Sequence, residues 1–124
     1  MRILGFSKMW PKLQQDSFST FRFTRRDRDW EVGELAQVVY KPRRKGGGDR
    51  LGVAEIVEKV SKHFWSPSRR GNIITIAEAI EDGFKNTQEM RCWMLKTHGD
   101  RVHQEPLDKL TLKWVERRRV NESV

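Results

Sequence analysis

Hydrophobic positions along this chain recur mostly with a period of two, and the period of a helix emerges only in the second half. Ile3 to Phe6 and Phe18 to Phe23 are short apolar or alternating runs followed by polar, turn-prone sequence, and they predict two strands joined by a linker. In the second run, alternation places Ser19, Phe21 and Phe23 on one face and Phe18, Thr20 and Arg22 on the other. The Phe21/Phe23 face is expected to be core, with Thr20 and Arg22 pointing away from it. Leu35 to Lys41 and Leu51 to Val60 are rich in β-branched residues and flank Lys45-Gly46-Gly47-Gly48-Asp49, which predicts a hairpin with a flexible, basic tip.

Helical signals follow. Thr75-Ile76-Ala77-Glu78 is a capping box, in which the Thr hydroxyl and the Glu carboxylate each satisfy an exposed backbone N–H, so a short helix runs from about Ile76 to Asp82 and stops at Gly83. Asn86-Thr87-Gln88-Glu89 repeats the cap, and Met90, Trp93, Met94 and Thr97 share one face of a second helix that ends at Gly99. Leu110, Leu112 and Trp114 alternate with Thr111 and Lys113 as a half-buried strand returning to the sheet. The order lacks βαβ alternation, so the expected fold is α+β: a small, mostly antiparallel β-barrel with a few helices on one side. Residues 1–116 form a single domain in this reading, and 117–124, with Arg117, Arg118 and Arg119, form a basic, frayed tail.

Composition narrows the setting. The chain of 124 residues suits one domain, no apolar run approaches the roughly 18 residues of a membrane span, and the N-terminus has no secretory stretch. Cys92 stands alone, which excludes an internal disulfide and fits a reducing cytoplasm. The net charge of +8 and a pI near 10.1 change the picture most, because such an excess attracts polyanions. The charge is clustered, in Arg22, Arg25, Arg26 and Arg28 and again in Lys41, Arg43, Arg44, Lys45 and Arg50. Among the five tryptophans, Trp93 and Trp114 read as core, while Trp10, Trp30 and Trp65 lie in loop-like sequence. Trp30, beside Arg28, is the best candidate for stacking on a base and Trp10 the next; as lids on the barrel ends both would instead be core.

Three segments in order carry a resemblance: Ser17-Phe18-Ser19-Thr20-Phe21-Arg22, then Asp29-Trp30-Glu31-Val32-Gly33-Glu34, then Ala79-Ile80-Glu81-Asp82-Gly83-Phe84 before the Met/Trp-faced helix. Over roughly Phe6 to Trp114 the chain resembles the ASCH domain, a branch of the PUA superfamily. The resemblance implies a PUA-like pseudo-barrel with a cleft beside the Thr-x-Arg strand, and RNA as the ligand of that cleft. Some similar members are small amidohydrolases of N4-acylated cytidine, marked by a Lys-Thr-x-Thr-x-Arg string whose second Thr is the nucleophile and whose Lys activates it. Thr20 and Arg22 match the last Thr and Arg, but Ser17 stands where that Lys belongs. Lys8 and Lys12 are the amines available to replace it, and Glu81 or Asp82 the acid.

Each of these residues also has a plain reading. Thr20 suits a strand as a β-branched residue and, as a nucleophile, needs a base within hydrogen-bond reach. Arg22 either pairs with a carboxylate such as Asp82 or Glu34, or grips a phosphate or base edge with its planar fork. Arg25, Arg26, Arg28, Arg43, Arg44 and Lys45 need only proximity to hold a phosphate backbone. His98 and His103 lack the further ligands of a zinc site, and no phosphate-binding glycine loop occurs, so neither metal nor cofactor is expected. The leading expectation is an RNA-binding domain, with hydrolysis of a modified nucleoside by Thr20 second. A ribonuclease using His63, His98 or Asp82 is third.

Overall fold

The computed structural model describes residues 1–25, 27–43, 45–64 and 73–117. Arg26, Arg44, Trp65, Arg118 and Arg119 lie outside them. Five strands form one sheet: β1 (Arg2–Phe6), β2 (Ser17–Phe23), β3 (Leu35–Tyr40), β4 (Asp49–Lys62) and β5 (Leu107–Arg117), in the order β1-β3-β4-β5-β2. β1 lies parallel to β3, and the other three pairings are antiparallel. A single 3₁₀ turn, Pro11–Gln14, joins β1 to β2, and three helices precede β5: α1 (Ile76–Asp82), α2 (Thr87–His98) and the one-turn α3 (Arg101–Gln104).

The sheet curls until its edge strands face each other. Phe6 of β1 and Phe18 of β2 meet edge to face with ring centroids 6.0 Å apart, yet no ladder joins these strands. The result is a half-barrel, where the sequence suggested a closed one. The gap that backbone pairing would close is filled by side chains instead. β4 carries the curvature: its register shifts against β3 at Val38/Val39 and against β5 near Ala54 and Glu58, and such bulges increase local twist. Gly52 permits one of these close passages, since a Cβ at its φ of 150° would lie 2.1 Å from the Glu116 carbonyl oxygen.

Cross-strand rows build the interior. Ile56, Leu112 and Phe18 are directly adjacent on β4, β5 and β2, and Leu4 sits beside Val38 on β1 and β3. All five are buried. β2 differs from its expected one-sided pattern because both of its faces are covered. Phe18, Thr20 and Arg22 turn into the half-barrel, whereas Phe21 and Phe23 face the helices. Phe23 meets His98 of α2, and Lys109, the cross-strand neighbour of Phe21, pairs with Glu78 of α1 at 2.9 Å. The helix ends follow their local chemistry. The Thr75 hydroxyl accepts from the Glu78 N–H while Glu78 accepts from the Thr75 N–H, and Asn86 accepts from the Glu89 N–H. No described helix is long and apolar enough to cross a membrane.

Candidate functional site

A cavity of about 710 Å³ opens between β2, the turn that follows β1, and helices α1 and α2. Its size is that of pockets for small organic ligands. An aromatic cluster fixes one wall: Trp10 meets Phe84 at 5.2 Å and Trp93 at 5.9 Å, edge to face. Gly83 lets Trp10 come this close, because a Cβ there would stand 2.7 Å from the indole. Docking Trp10 also docks the turn that starts at Pro11, and this carries Lys12 inward.

Lys12 and Asp82, the last residue of α1, form an ion pair inside the protein, with side chains 6% and 10% exposed. The Lys12 ammonium donates both to Asp82 Oδ1 and to the Ser19 carbonyl, the latter at 2.7 Å. Burial pulls the amine below its ordinary value and the carboxyl above its own, while the attraction between the two works against both shifts. A carboxylate at the C-terminal end of a helix is poorly placed for the backbone dipole, and Lys12 compensates for it.

Arg22 stands next to this pair. Its Nε donates to Thr20 Oγ1 at 3.2 Å and its guanidinium lies 4.7 Å from the centre of the Phe6 ring. Among the described residues it has no carboxylate partner, and its two terminal amino groups donate to no protein atom. Burial brings it down to about 10, offset in part by Asp82, so it remains a cation at neutral pH. A half-buried guanidinium whose terminal amino groups are left open to a cavity is suited to receive an acceptor, whether phosphate oxygens or the edge of a base. Lys41 and Arg43 line the same cavity from the base of the β3–β4 hairpin. His98 lines it from α2, its imidazole held below the usual value by burial and by Arg101 and Arg22.

Thr20, Arg22, Lys12 and Asp82 therefore come together, although Lys12 and Asp82 are 70 residues apart. Lys8 stacks over the outer ring of Trp10 instead of entering the cavity. Glu81 points out, 60% exposed, toward Lys109. Trp30 is 3% exposed with Arg2 over its ring at 4.3 Å, which agrees with the reading of it as a core residue rather than as a stacking platform. Arg25 is paired with Asp27, Arg28 lies 3.6 Å from Glu34, and Lys45 is exposed near the hairpin tip, all outside the cavity. His63 is likewise not among its lining residues.

Sequence patterns gave no warning of a second buried acid cluster. Asp108 of β5 is 3% exposed with its Oδ2 unpartnered, burial and the nearby Asp29 raise its carboxyl to about 7, and Lys59 of β4 reaches Asp29, in the loop that carries Trp30, at 2.6 Å. The only available signal was Asp108 next to Leu107 at the start of the alternating segment Leu107 to Leu112. Among the described residues, no group of His, Cys, Asp and Glu is arranged to hold a metal ion. The chain matches no protein-family model, no curated protein and no solved structure.

Proposed function

We propose that this protein is an RNA-binding domain of the PUA-like, ASCH type, whose cleft receives one nucleotide of a single strand on Arg22. The observation that carries this reading is the half-buried Arg22 guanidinium, whose two terminal amino groups have no described protein acceptor. Aromatic walls suit a base, and Lys41 and Arg43 at the mouth suit the phosphates on either side of it. A protein of net charge +8 also draws a polyanion toward the cleft before any specific contact forms.

One observation favours a second reading, hydrolysis of an N4-acylated cytidine or a similar nucleoside amide. Lys12, Asp82 and Thr20 line one cavity, and burial makes the Lys12 amine easier to deprotonate. The binding reading ranks first because Lys12 is committed to Asp82 and Ser19, and because the hydroxyl of Thr20 is hydrogen-bonded to Arg22 rather than to a base. Labelled single-stranded RNA, duplex DNA and N4-acetylcytidine, each incubated with the protein, separate the two. Retention of RNA without products, weakened at least tenfold by Arg22→Ala, is the expected result. Deacetylation at catalytic turnover, lost in Thr20→Ala, would overturn it in favour of the hydrolase.

A further inference from the structure

Arg22 offers a ligand a restricted set of donors. Its Nε is taken by Thr20 Oγ1 at 3.2 Å, and its guanidinium lies over the Phe6 ring at 4.7 Å. What remains is the end-on pair, Nη1 and Nη2, which have no acceptor among the described residues. Two N–H groups that point the same way from one plane are matched by two acceptors side by side, and a donor in either position meets a group of like polarity. The rest of the cavity does not relax this demand. Asp82 is the one carboxylate among its described lining residues, and its Oδ1 is committed to the Lys12 ammonium. Lys12, Lys41 and Arg43 bring side chains that only donate.

We propose that the cleft selects guanine among the four bases, with Nη1 and Nη2 of Arg22 donating to its O6 and N7. This specificity rests on the reading of the cleft as the seat of one nucleotide of a single strand. The edges of the bases decide it. On adenine the N6 amino donor stands beside each of the acceptors N1 and N7, and on uracil N3–H lies between the two oxygens. Cytosine does set N3 beside O2, but O2 adjoins the glycosidic bond, so a residue of the cleft wall reaching it meets the ribose. O6 and N7 of guanine lie on an edge that the sugar leaves open, and a cavity of about 710 Å³ has room for a purine. Two oxygens of a phosphate would also fill the fork. The distribution of burial favours the base: Arg22 is half-buried against Phe6, and the half-buried rings of Phe23 and Trp93 line the same cavity. Lys41 and Arg43 are exposed at the base of the hairpin, where a phosphate keeps its water. Phosphate contacts position a strand and contacts to base edges specify it, and the two kinds of cation in this cleft divide those tasks.

Single atoms of the base can be tested on a constant backbone. A labelled strand of uridines carries one central nucleoside that is guanosine, inosine, 7-deazaguanosine, adenosine or cytidine, and the affinity of each strand is measured at one salt concentration. Inosine keeps O6 and N7, whereas 7-deazaguanosine has a carbon in place of N7. The guanosine and inosine strands are expected to bind about tenfold more tightly than the adenosine, cytidine and plain uridine strands, and 7-deazaguanosine to lose most of that advantage. Arg22→Lys keeps the charge and loses the planar fork, so in that variant the guanosine strand is expected to bind no better than the others. Strands bound without regard to the central base, a preference for another base, or a guanosine preference that survives the loss of N7 or the change to lysine overturns the guanine assignment while the nucleotide reading stands. Retention of no strand, even at low salt, overturns the nucleotide reading and the selectivity with it.

Discussion

Lys12 and Asp82 hold opposite charges where water hardly reaches, and the energetics of such a pair are asymmetric. Removing one partner strands the other, at a cost of about 3–5 kcal/mol, whereas replacing both with apolar groups of similar size is often neutral or better. Lys12→Met is therefore expected to lower the unfolding free energy by about 3 kcal/mol in urea titrations, and Lys12→Met with Asp82→Leu to regain most of it. A single variant as stable as the wild type would mean that the pair is not held charged. The Asp108 carboxyl makes a second prediction, with a definite sign. Its folded value of about 7 exceeds its ordinary 3.8, so between these pH values the folded protein keeps a proton that the unfolded chain has lost. This contribution to stability is present in full below about pH 4, declines as pH climbs to about 7, and is gone above it. Asp108→Asn removes the dependence, so melting temperatures of the two proteins compared at pH 5 and pH 8 should show the variant gaining on the wild type at the higher pH.

The short helix α1 brings Asp82 to the cleft, and both of its ends are set by local chemistry. At the start, the reciprocal hydrogen bonds of Thr75 and Glu78 satisfy two backbone donors, and Thr75→Ala is expected to cost about 1 kcal/mol. At the end, Gly83 has a φ of 112° and lies against Trp10. An alanine there meets two penalties: about 1–2 kcal/mol for a left-handed residue with a side chain, and a Cβ that must push the indole away. Gly83→Ala should thus lose more stability than Thr75→Ala and also displace the wall of the cleft, visible as a changed tryptophan fluorescence. Helices were legible in the sequence because caps, stops and the Met90/Met94 face act within a few residues of one another. The parallel pairing of β1 with β3 was not, because it depends on contacts some 34 positions apart, such as Arg2 with Ala36. The two-sided burial of β2 was hidden for a related reason: Ser19 and Thr20 look polar, and only the arrival of helices on one face and Phe6 on the other makes both positions interior.

At the scale of the whole molecule, legibility of the site divides the same way. Thr20 and Arg22 were readable from a short string, and Lys12 and Asp82 entered as candidates, but their meeting requires the curl of the sheet and the docking of Trp10. The Asp29–Asp108 cluster joins a loop to the last strand and left no pattern to read. Net charge was the most visible feature, yet the fold disperses much of it. Arg2 is paired with Glu34, Arg25 with Asp27, Arg50 with Glu116, Arg101 with Glu105, and both Lys62 and Lys109 with Glu78. Arg22, Lys41 and Arg43 form no ion pair among the described residues, and all three line one cavity. Local geometry and total charge therefore make different forecasts for salt. Each phosphate contact on a single strand contributes about −0.7 to the slope of log affinity against log salt. Two contacts in the cleft, or three where Arg22 also holds a phosphate, give a slope of at most about 2 in magnitude, while engagement of the whole excess of eight charges would give one above about 5. RNA affinity measured between 50 and 300 mM salt is expected to follow the shallower line, and Arg43→Ala to flatten it by about 0.7. A slope that is steep and insensitive to Arg43 would instead locate the binding surface on the dispersed charges and away from the cleft.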